Sequence, residues 1–577
     1  MLNRDRTRWF ARALFVVVVV GYIAQQWIAQ PRFVAGGEMW AEMGTNYYPA
    51  VQRDPLGSLF ASDAGYIPLP QRILALIGWA LRLPAPAFPY FFTFTALTLS
   101  GVMVGIFCLP MFRRVISSDG VRFVLVVVIL AVVDFETRTF INFTYLGACF
   151  VSVLACHALV SRGRDMPWLA WLIPLLMISK PAVLIALPFV IIAALFTSWH
   201  FRIVSLVAVF VAALQALRLA TSVDAGGSLL SIGPSLSLLE KIILTGKYAL
   251  AYLGKAFMGP THQENRIGLL MLVGAVSVAV VILGMFFFRS RSWSIVIAGL
   301  ILILGNSLLI VFTFGAVFGP GLSMVSSGLY DRRTFVLLAG GMMVIAGLIS
   351  VSTDIVRAAL VARGLSSRGA IGISLAAVAL LVGMVYASGW DVYASRINRT
   401  LTLPVAGVSN WATRSPALSE SGKSDVCVAL DPFGWVSGPS CVTLSAQTPG
   451  GVDAQYPGAV SFLQASKIAS GGQVILPAPT EVRTAQLLAV AVLAKSSSDR
   501  ESTGTFSGEA SLGDGTKIHI STTAMVDPEG GVVQLNFPGV GGTDVVKFSL
   551  SASSNVLLGV ASTNHDALFV TWSGRLR

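Results

Sequence analysis

Four carboxylates stand in one polar stretch near the start of the chain: Glu38, Glu42, Asp54 and Asp63, interleaved with Trp40, Tyr47, Tyr48 and Tyr66. The stretch reads GGEMWAEMGTNYYPA from Gly36 and SDAGYIPLPQRI from Ser62. A carboxylate within hydrogen-bond reach of a hydroxyl can take its proton and turn a poor nucleophile into a competent one. Aromatic rings beside it suit the C–H face of a sugar. Acid and ring together fit carbohydrate chemistry, with Glu42, Asp63 and Glu38 as candidate bases and Trp40, Tyr47 and Tyr66 as candidate substrate contacts. The competing reading is a solvated loop with aromatic residues at a membrane interface, as at the end of any span; composition alone prefers it. A second charged group, Asp134, Glu136 and Arg138, is open to two readings, acceptor binding or a structural ion pair. The five histidines are scattered and there is no CxxC, so no zinc-type cluster is read.

The elements that must hold these residues follow from composition. Of 577 residues, 55% are hydrophobic and 12% charged, and the mean hydropathy is +0.76. Soluble domains carry about 25% charge. A disordered chain and a purely soluble enzyme are excluded, and a polytopic membrane protein is expected. Arg4, Arg6, Arg8 and Arg12 precede the apolar run Ala13–Ile28, read as an uncleaved first span. Further runs lie near Phe88–Phe112, Val121–Val133, Phe140–Val160, Trp168–Ile178, Pro181–Phe196, Ile203–Leu219, Ile267–Phe288, Trp293–Phe314, Thr334–Val351 and Ala370–Ala387. That makes about eleven transmembrane helices, two of them short for a bilayer that needs about 20 residues per crossing.

With the N-terminus inside, the short inner loops carry Arg113–Arg114–Arg122, Arg162–Arg164, Arg202, Arg289–Arg291 and Arg357–Arg363–Arg368, the positive-inside pattern. Of the acids in this half only Asp5, Asp119, Asp165 and Asp354 then fall inside. The outer face receives Glu38–Asp63, Asp134–Arg138, Lys180, Thr221–Arg266, Phe318–Arg333 and everything after Trp390. The tail from Asp391 holds 12 Lys+Arg against 14 Asp+Glu, whereas the preceding 390 residues hold the other 28 basic and 14 acidic side chains. The positive charge therefore belongs to the membrane half, and nucleic acid is not a partner it calls for.

Thr221–Arg266 contains Lys241, Lys247 and Lys255 among apolar residues and reads as an interfacial amphipathic helix. The tail is different. Runs such as GKSDVCVAL, VVQLNFPG and VVKFSLSAS alternate and are punctuated by Gly, Pro, Asn and Asp, as in a β-sandwich. The expected organisation is a membrane domain over 1–390 with its first outer loop at 31–87, a linker at 391–424, and a jelly-roll-like all-β sandwich over 425–577. Cys427 and Cys441, in an extracytoplasmic β domain, read as a disulfide; two buried thiols are the alternative. Cys108, Cys149 and Cys156 lie in spans and read as packing residues. Trp435, Tyr456, Phe537 and Trp572 are candidate sugar platforms, with core packing the better reading for most of them.

The order of motifs resembles the GT-C superfamily of integral membrane glycosyltransferases, and within it bacterial members whose first loop reads roughly W-A-E-E-G-T and then G-Y-[IL]. Trp40, Ala41, Glu42, Gly44 and Thr45 match the first part and Gly65–Tyr66 the second; Met43 replaces the second acid. ISKPAVLIALP from Ile178 resembles the family's Lys-Pro motif, and DRRTFVLL from Asp331 its Arg-Tyr motif, with Thr334 in place of tyrosine. The resemblance covers roughly residues 1–390. It implies a donor sugar on a polyprenyl phosphate, a glycan or glycoconjugate acceptor, an inverting transfer with Glu42 as base, and Arg333, Arg332 and Lys180 at the donor phosphate, whose developing charge needs cations. It implies a bacterial plasma membrane, with the N-terminus cytoplasmic and the tail periplasmic or extracellular. No cofactor is read, a divalent cation being the one left open. A β-sandwich on such a core resembles the arrangement in arabinosyltransferases, where these domains bind carbohydrate; a structural cap is the alternative. Three other functions remain in competition: a carrier of lipid-linked sugars, a polymerase or ligase using a lipid-linked glycan, and a non-enzymatic membrane scaffold.

Overall fold

The computed structural model describes residues 2–37, 39–63, 65–163, 168–221, 236–260, 266–318, 322, 325, 334–362, 367–399, 411, 415–416, 418, 426–430, 433–438, 441–447, 460–528, 530–537, 545–561 and 564–575. The candidate residues Glu38, Arg332, Arg333 and Tyr456 lie outside this set. The chain forms two compact units. The first comprises Met1–Ala29, Leu59–Ile73 and Thr95–Thr400; the second comprises Gln30–Ser58, Leu74–Phe94 and Leu401–Arg577.

The first unit is helical. Among the described residues of the whole chain, seven helices are long and apolar enough to cross a membrane: Arg8–Ala29, Ala85–Cys108, Phe143–Ser161, Trp199–Thr221, Ile267–Phe287, Trp293–Phe312 and Phe335–Leu360. Trp168–Met177, Pro181–Leu195 and Gly372–Ala387 are apolar but shorter. The remaining expected run, Val121–Val133, is the helix Asp119–Ala131, capped by Ser118 through its hydroxyl and the Val121 N–H. Every expected apolar run is thus helical, and among the described residues seven of these helices combine the length and the apolarity of a full crossing.

Burial sorts these helices. Phe335–Leu360 has 89% of its most apolar window buried, whereas Ile267–Phe287 has 17%. The exposed side chains of the latter include Leu269, Leu272, Val276, Val280, Leu283 and Phe287, at the three- and four-residue spacing of one helix face. An apolar stripe of that length left in water would be costly; in a bilayer it is a lipid-facing surface. Phe335–Ala362 instead packs along Trp293–Phe318. There a Cβ on Gly299 would come within 2.4 Å of the Gly340 carbonyl oxygen, so glycine permits the close approach.

Two expectations about charge are refined. Arg122, assigned to an inner loop, is fully buried; its guanidinium donates to the carbonyls of Phe107 and Leu109 and to Asp119, which also pairs with Arg113. The basic residues of that loop are therefore partly structural. The helix Leu238–Met258, expected to lie on the membrane surface, packs against Ile267–Phe287, Trp293–Phe318 and Phe335–Ala362, beginning at a Ser237–Glu240 capping box. Its Lys255 is fully buried and donates to the Val325 carbonyl. Tyr248, Ala251 and Tyr252 are buried among helices, while Leu238, Leu239, Ile242 and Ile243 of its first turns stay exposed.

In the second unit the tail is all-β, as expected. Strands Gln473–Pro477, Val545–Ala552, Ser502–Leu512 and Lys517–Val526 form one antiparallel sheet in that order. A second sheet runs Asn564–Leu568, Val556–Ala561, Gln486–Ser496, Val570–Arg575 and Val442–Gln447, with Val460–Leu463 added to Val556–Ala561 and Gly531–Asn536 to Gln486–Ser496. Residues of both sheets, among them Phe506, Phe548, Leu550, Val490, Leu558 and Trp572, share one buried core. Gln486–Ser496 reads QLLAVAVLAKS, apolar almost throughout, because both of its faces are covered. Val490, Val492 and Ala494 enter the main core, while Ala491 and Leu493 join Phe433 and Phe569 on the other side. Trp572 and Phe537 lie in the core and are not surface platforms.

Val428–Leu430 and Trp435–Ser437 form a small separate hairpin. Cys427 and Cys441 are joined in a disulfide across a sequence separation of 14 residues. Closing a loop of that size is worth about 3 kcal/mol in the chain-entropy account. Replacing both cysteines by serine is expected to destabilise this region by about that amount. Peptide mapping without reductant should recover the two cysteines joined; free thiols on both would contradict the pairing.

Candidate functional site

Within the second unit, Glu42 stands on a tight turn. The Met43 N–H donates to the Trp40 carbonyl at 2.8 Å and the Gly44 N–H to that of Ala41 at 3.0 Å. Ala41 adopts φ +40°, a left-handed conformation that costs a side-chain-bearing residue energy and persists only where the surroundings enforce it. Ala41 is itself buried, as are its neighbours Trp40, Met43 and Tyr47, while Glu42 is half-exposed. The chain continues through a wide helical turn, Met43–Tyr47, into the helix Tyr48–Arg53. Tyr48 packs edge-on against Phe88, with ring centroids 4.9 Å apart, and against Trp411 at 5.3 Å. Burial pushes its phenol up to about 12. The β hairpin closes on the same turn: Ser437 donates its hydroxyl to the Gly44 carbonyl, and a Cβ on Gly44 would meet Leu430 at 2.6 Å. An acid with a partly open flank is thus fixed on a turn with buried neighbours before and after it.

Within the first unit, Asp63, Tyr66 and Lys180 are brought together. The Asp63 N–H donates to the Tyr66 carbonyl at 2.8 Å and the Tyr66 N–H returns to Asp63 at 3.1 Å, closing a turn through Gly65. Gly65 sits at φ +86°, where any larger residue would be strained. The Tyr66 hydroxyl donates to Asp63 Oδ2 at 3.4 Å; Lys180 Nζ donates to that hydroxyl and lies 4.8 Å from the ring centroid. All three side chains are buried. The Leu69 N–H reaches the Ile178 carbonyl at 3.1 Å. Gln215 holds the same two loops. Its Nε2 donates to Ser179 at 2.8 Å and Ile67 at 3.4 Å, and its Oε1 accepts from the Ile67 N–H at 3.3 Å.

Gln215 was not among the residues read from sequence. A signal for it existed: it is a lone amide in the middle of the apolar helix Trp199–Thr221, and polar residues inside such spans are kept for a reason. Arg72 was missed as well. It is a buried cation on the helix that follows this loop, Leu69–Ala80. Next to it, Gln71 donates to the Ile141 carbonyl at 2.9 Å and to Thr144 at 3.0 Å.

Arg138 is buried and donates to Gln26 Oε1 at 2.6 Å and to the Val133 carbonyl, while Asp134 accepts from Thr137. Glu136 is half-exposed, and its carbonyl accepts from the Thr139 N–H at 3.2 Å. No group of three metal-ligating side chains occurs among the described residues. Comparison with known proteins finds no matching family model, no matching curated protein and no matching solved structure.

Proposed function

We propose that the chain is an inverting membrane glycosyltransferase, moving a sugar from a polyprenyl-phosphate donor to a glycan, lipid-linked or protein acceptor on the outer face of a bacterial plasma membrane. The observation that supports this reading most is the joining of Tyr66 to Lys180, 114 positions apart, through a buried hydrogen bond. They belong to two of the motifs whose order the resemblance rests on, and their contact fits the common outer-face placement that this reading gives them.

In this reading Glu42 takes the proton of the acceptor hydroxyl as its oxygen attacks the anomeric carbon. The bond from that carbon to the donor phosphate breaks on the opposite side. One displacement inverts the centre, so one base suffices. Lys180, with Arg333 and Arg332, stabilises the charge that develops on the departing phosphate. Trp40, Tyr47 and Tyr66 are read as supports of the sugar site. Trp40 and Tyr47 are buried, so they act through the turn that carries Glu42 and not as open stacking faces.

The topology in this reading counts eleven crossings: the seven long helices, the three shorter apolar ones and Asp119–Ala131. The N-terminus lies inside and the β-sandwich outside. Ser498 is exposed on the β region, the free cysteines Cys108, Cys149 and Cys156 are buried, and the other two are disulfide-bonded. Ser498→Cys therefore introduces one reactive thiol. It should react with an impermeant maleimide in intact cells; reaction only after lysis would overturn the outer-face mechanism. The activity itself is tested by incubating the purified chain in vesicles with synthetic polyprenyl-phosphate sugars. Release of polyprenyl phosphate together with a glycosylated acceptor is expected. A protein that neither binds nor consumes any such donor would end this reading.

A further inference from the structure

The second unit contains a cavity of about 600 Å³, within the range of small-molecule sites. One wall is the segment that follows the Glu42 turn: Thr45, Asn46, Pro49 and Arg53. The other is the disulfide-closed hairpin and its neighbours, including Trp435, Cys441 and Thr443, with Arg575 from the last strand. Two arginines are among the residues that line it, and no Asp or Glu among the described residues is. Guanidinium is a planar fork of donors that matches a carboxylate or a phosphate. Arg53 is exposed and held in place by its Nε donating to the Pro49 carbonyl at 3.3 Å. Trp435 is 36% exposed, the one tryptophan on this wall, and its strand is fixed by pairing with Leu430 and by the nearby disulfide. Asn46 and Thr443 supply neutral polar side chains suited to hydroxyls.

We infer that this cavity binds an anionic saccharide, its sugar face on Trp435 and its carboxylate or phosphate between Arg53 and Arg575. Naming that saccharide the acceptor rests on the transferase reading, because the cavity begins three residues after Glu42. The preference for an anionic sugar rests on the cavity alone, so an equilibrium measurement tests it without turnover.

The full-length protein in detergent is titrated calorimetrically with trigalacturonate, glucose 6-phosphate, neutral maltotriose and inorganic phosphate. At least one charged sugar should bind ten-fold or more tighter than maltotriose, and which of the two binds identifies the anion. Arg53→Gln should weaken that binding by about 10- to 100-fold, the worth of a charge-assisted hydrogen bond. Arg53 is exposed, so this variant should fold; Trp435→Ala should weaken the charged sugar and leave inorganic phosphate unaffected. Equal affinity for maltotriose, binding of neither charged sugar, or no loss in Arg53→Gln would each overturn the inference. Inorganic phosphate binding as tightly as glucose 6-phosphate would reduce the cavity to an anion site and overturn the saccharide.

Discussion

Glu42→Gln is expected to lower the rate of sugar transfer by about 10²–10⁴-fold, the usual cost of removing a general base. The amide keeps the shape of the side chain but cannot accept the proton of the attacking hydroxyl. The turn itself should persist. It is closed by backbone bonds from Met43 and Gly44 to Trp40 and Ala41, and held from the other side by Ser437 and Leu430. Donor binding should survive, since the phosphate is assigned to cations elsewhere. Turnover and binding of the lipid donor, measured on one preparation of the variant, decide the matter. Near-normal turnover removes Glu42 from the mechanism. Loss of folding or of donor binding makes it a structural residue and passes the role to Asp63 or Glu38.

The apolar runs were legible because hydrophobicity over a dozen residues is a sum to which each side chain contributes. Each expected run became a helix, and the alternating tail became antiparallel sheets. What hydropathy does not carry is partner choice. Leu238–Met258 has an amphipathic pattern that fits a membrane surface or a helix bundle equally well. The buried Tyr248, Tyr252 and Lys255 show that one part of it packs in the bundle, through contacts with distant segments that no local pattern encodes, while Leu238, Leu239, Ile242 and Ile243 stay exposed. The same limit applies to Arg122. By type and position it counts as a positive-inside residue, yet its charge is consumed by Asp119 and two carbonyls.

The candidate site was legible in part for a related reason. Trp40, Glu42, Gly44, Gly65, Tyr66 and Lys180 stand out by type and order, and the structure gathers Asp63, Tyr66 and Lys180. The strained φ of Ala41 and the support of the turn by Ser437 and Leu430 were not readable. Alanine gives no sign of a left-handed backbone, and Ser437 lies 393 positions from the carbonyl it bonds. Grouping Gln30–Ser58 with the tail in one compact unit likewise depends on these long-range contacts and not on any composition boundary.

Lys180→Met should lower transfer by about 10²–10³-fold, the typical loss when one preorganised donor to a developing oxyanion is removed. Methionine retains much of the aliphatic length and removes the charge. Lys180 is buried, donates to the Tyr66 hydroxyl, and lies over the Tyr66 ring, and the same hydroxyl donates to Asp63. This arrangement aims the ammonium but also ties two loops together, so a fall in rate alone would not separate charge from scaffolding. Discrimination between polyprenyl phosphate and neutral polyprenol does separate them. An ammonium that meets the phosphate gives a preference that should shrink by about 10- to 100-fold in Lys180→Met. Lys180→Arg should recover much of it. Tyr66→Phe breaks the tie to the loop but leaves the cation, and should keep the preference while lowering thermal stability. If Lys180→Met and Tyr66→Phe both lose stability and neither changes the preference, Lys180 is a clamp between loops, and the donor phosphate is held by other cations.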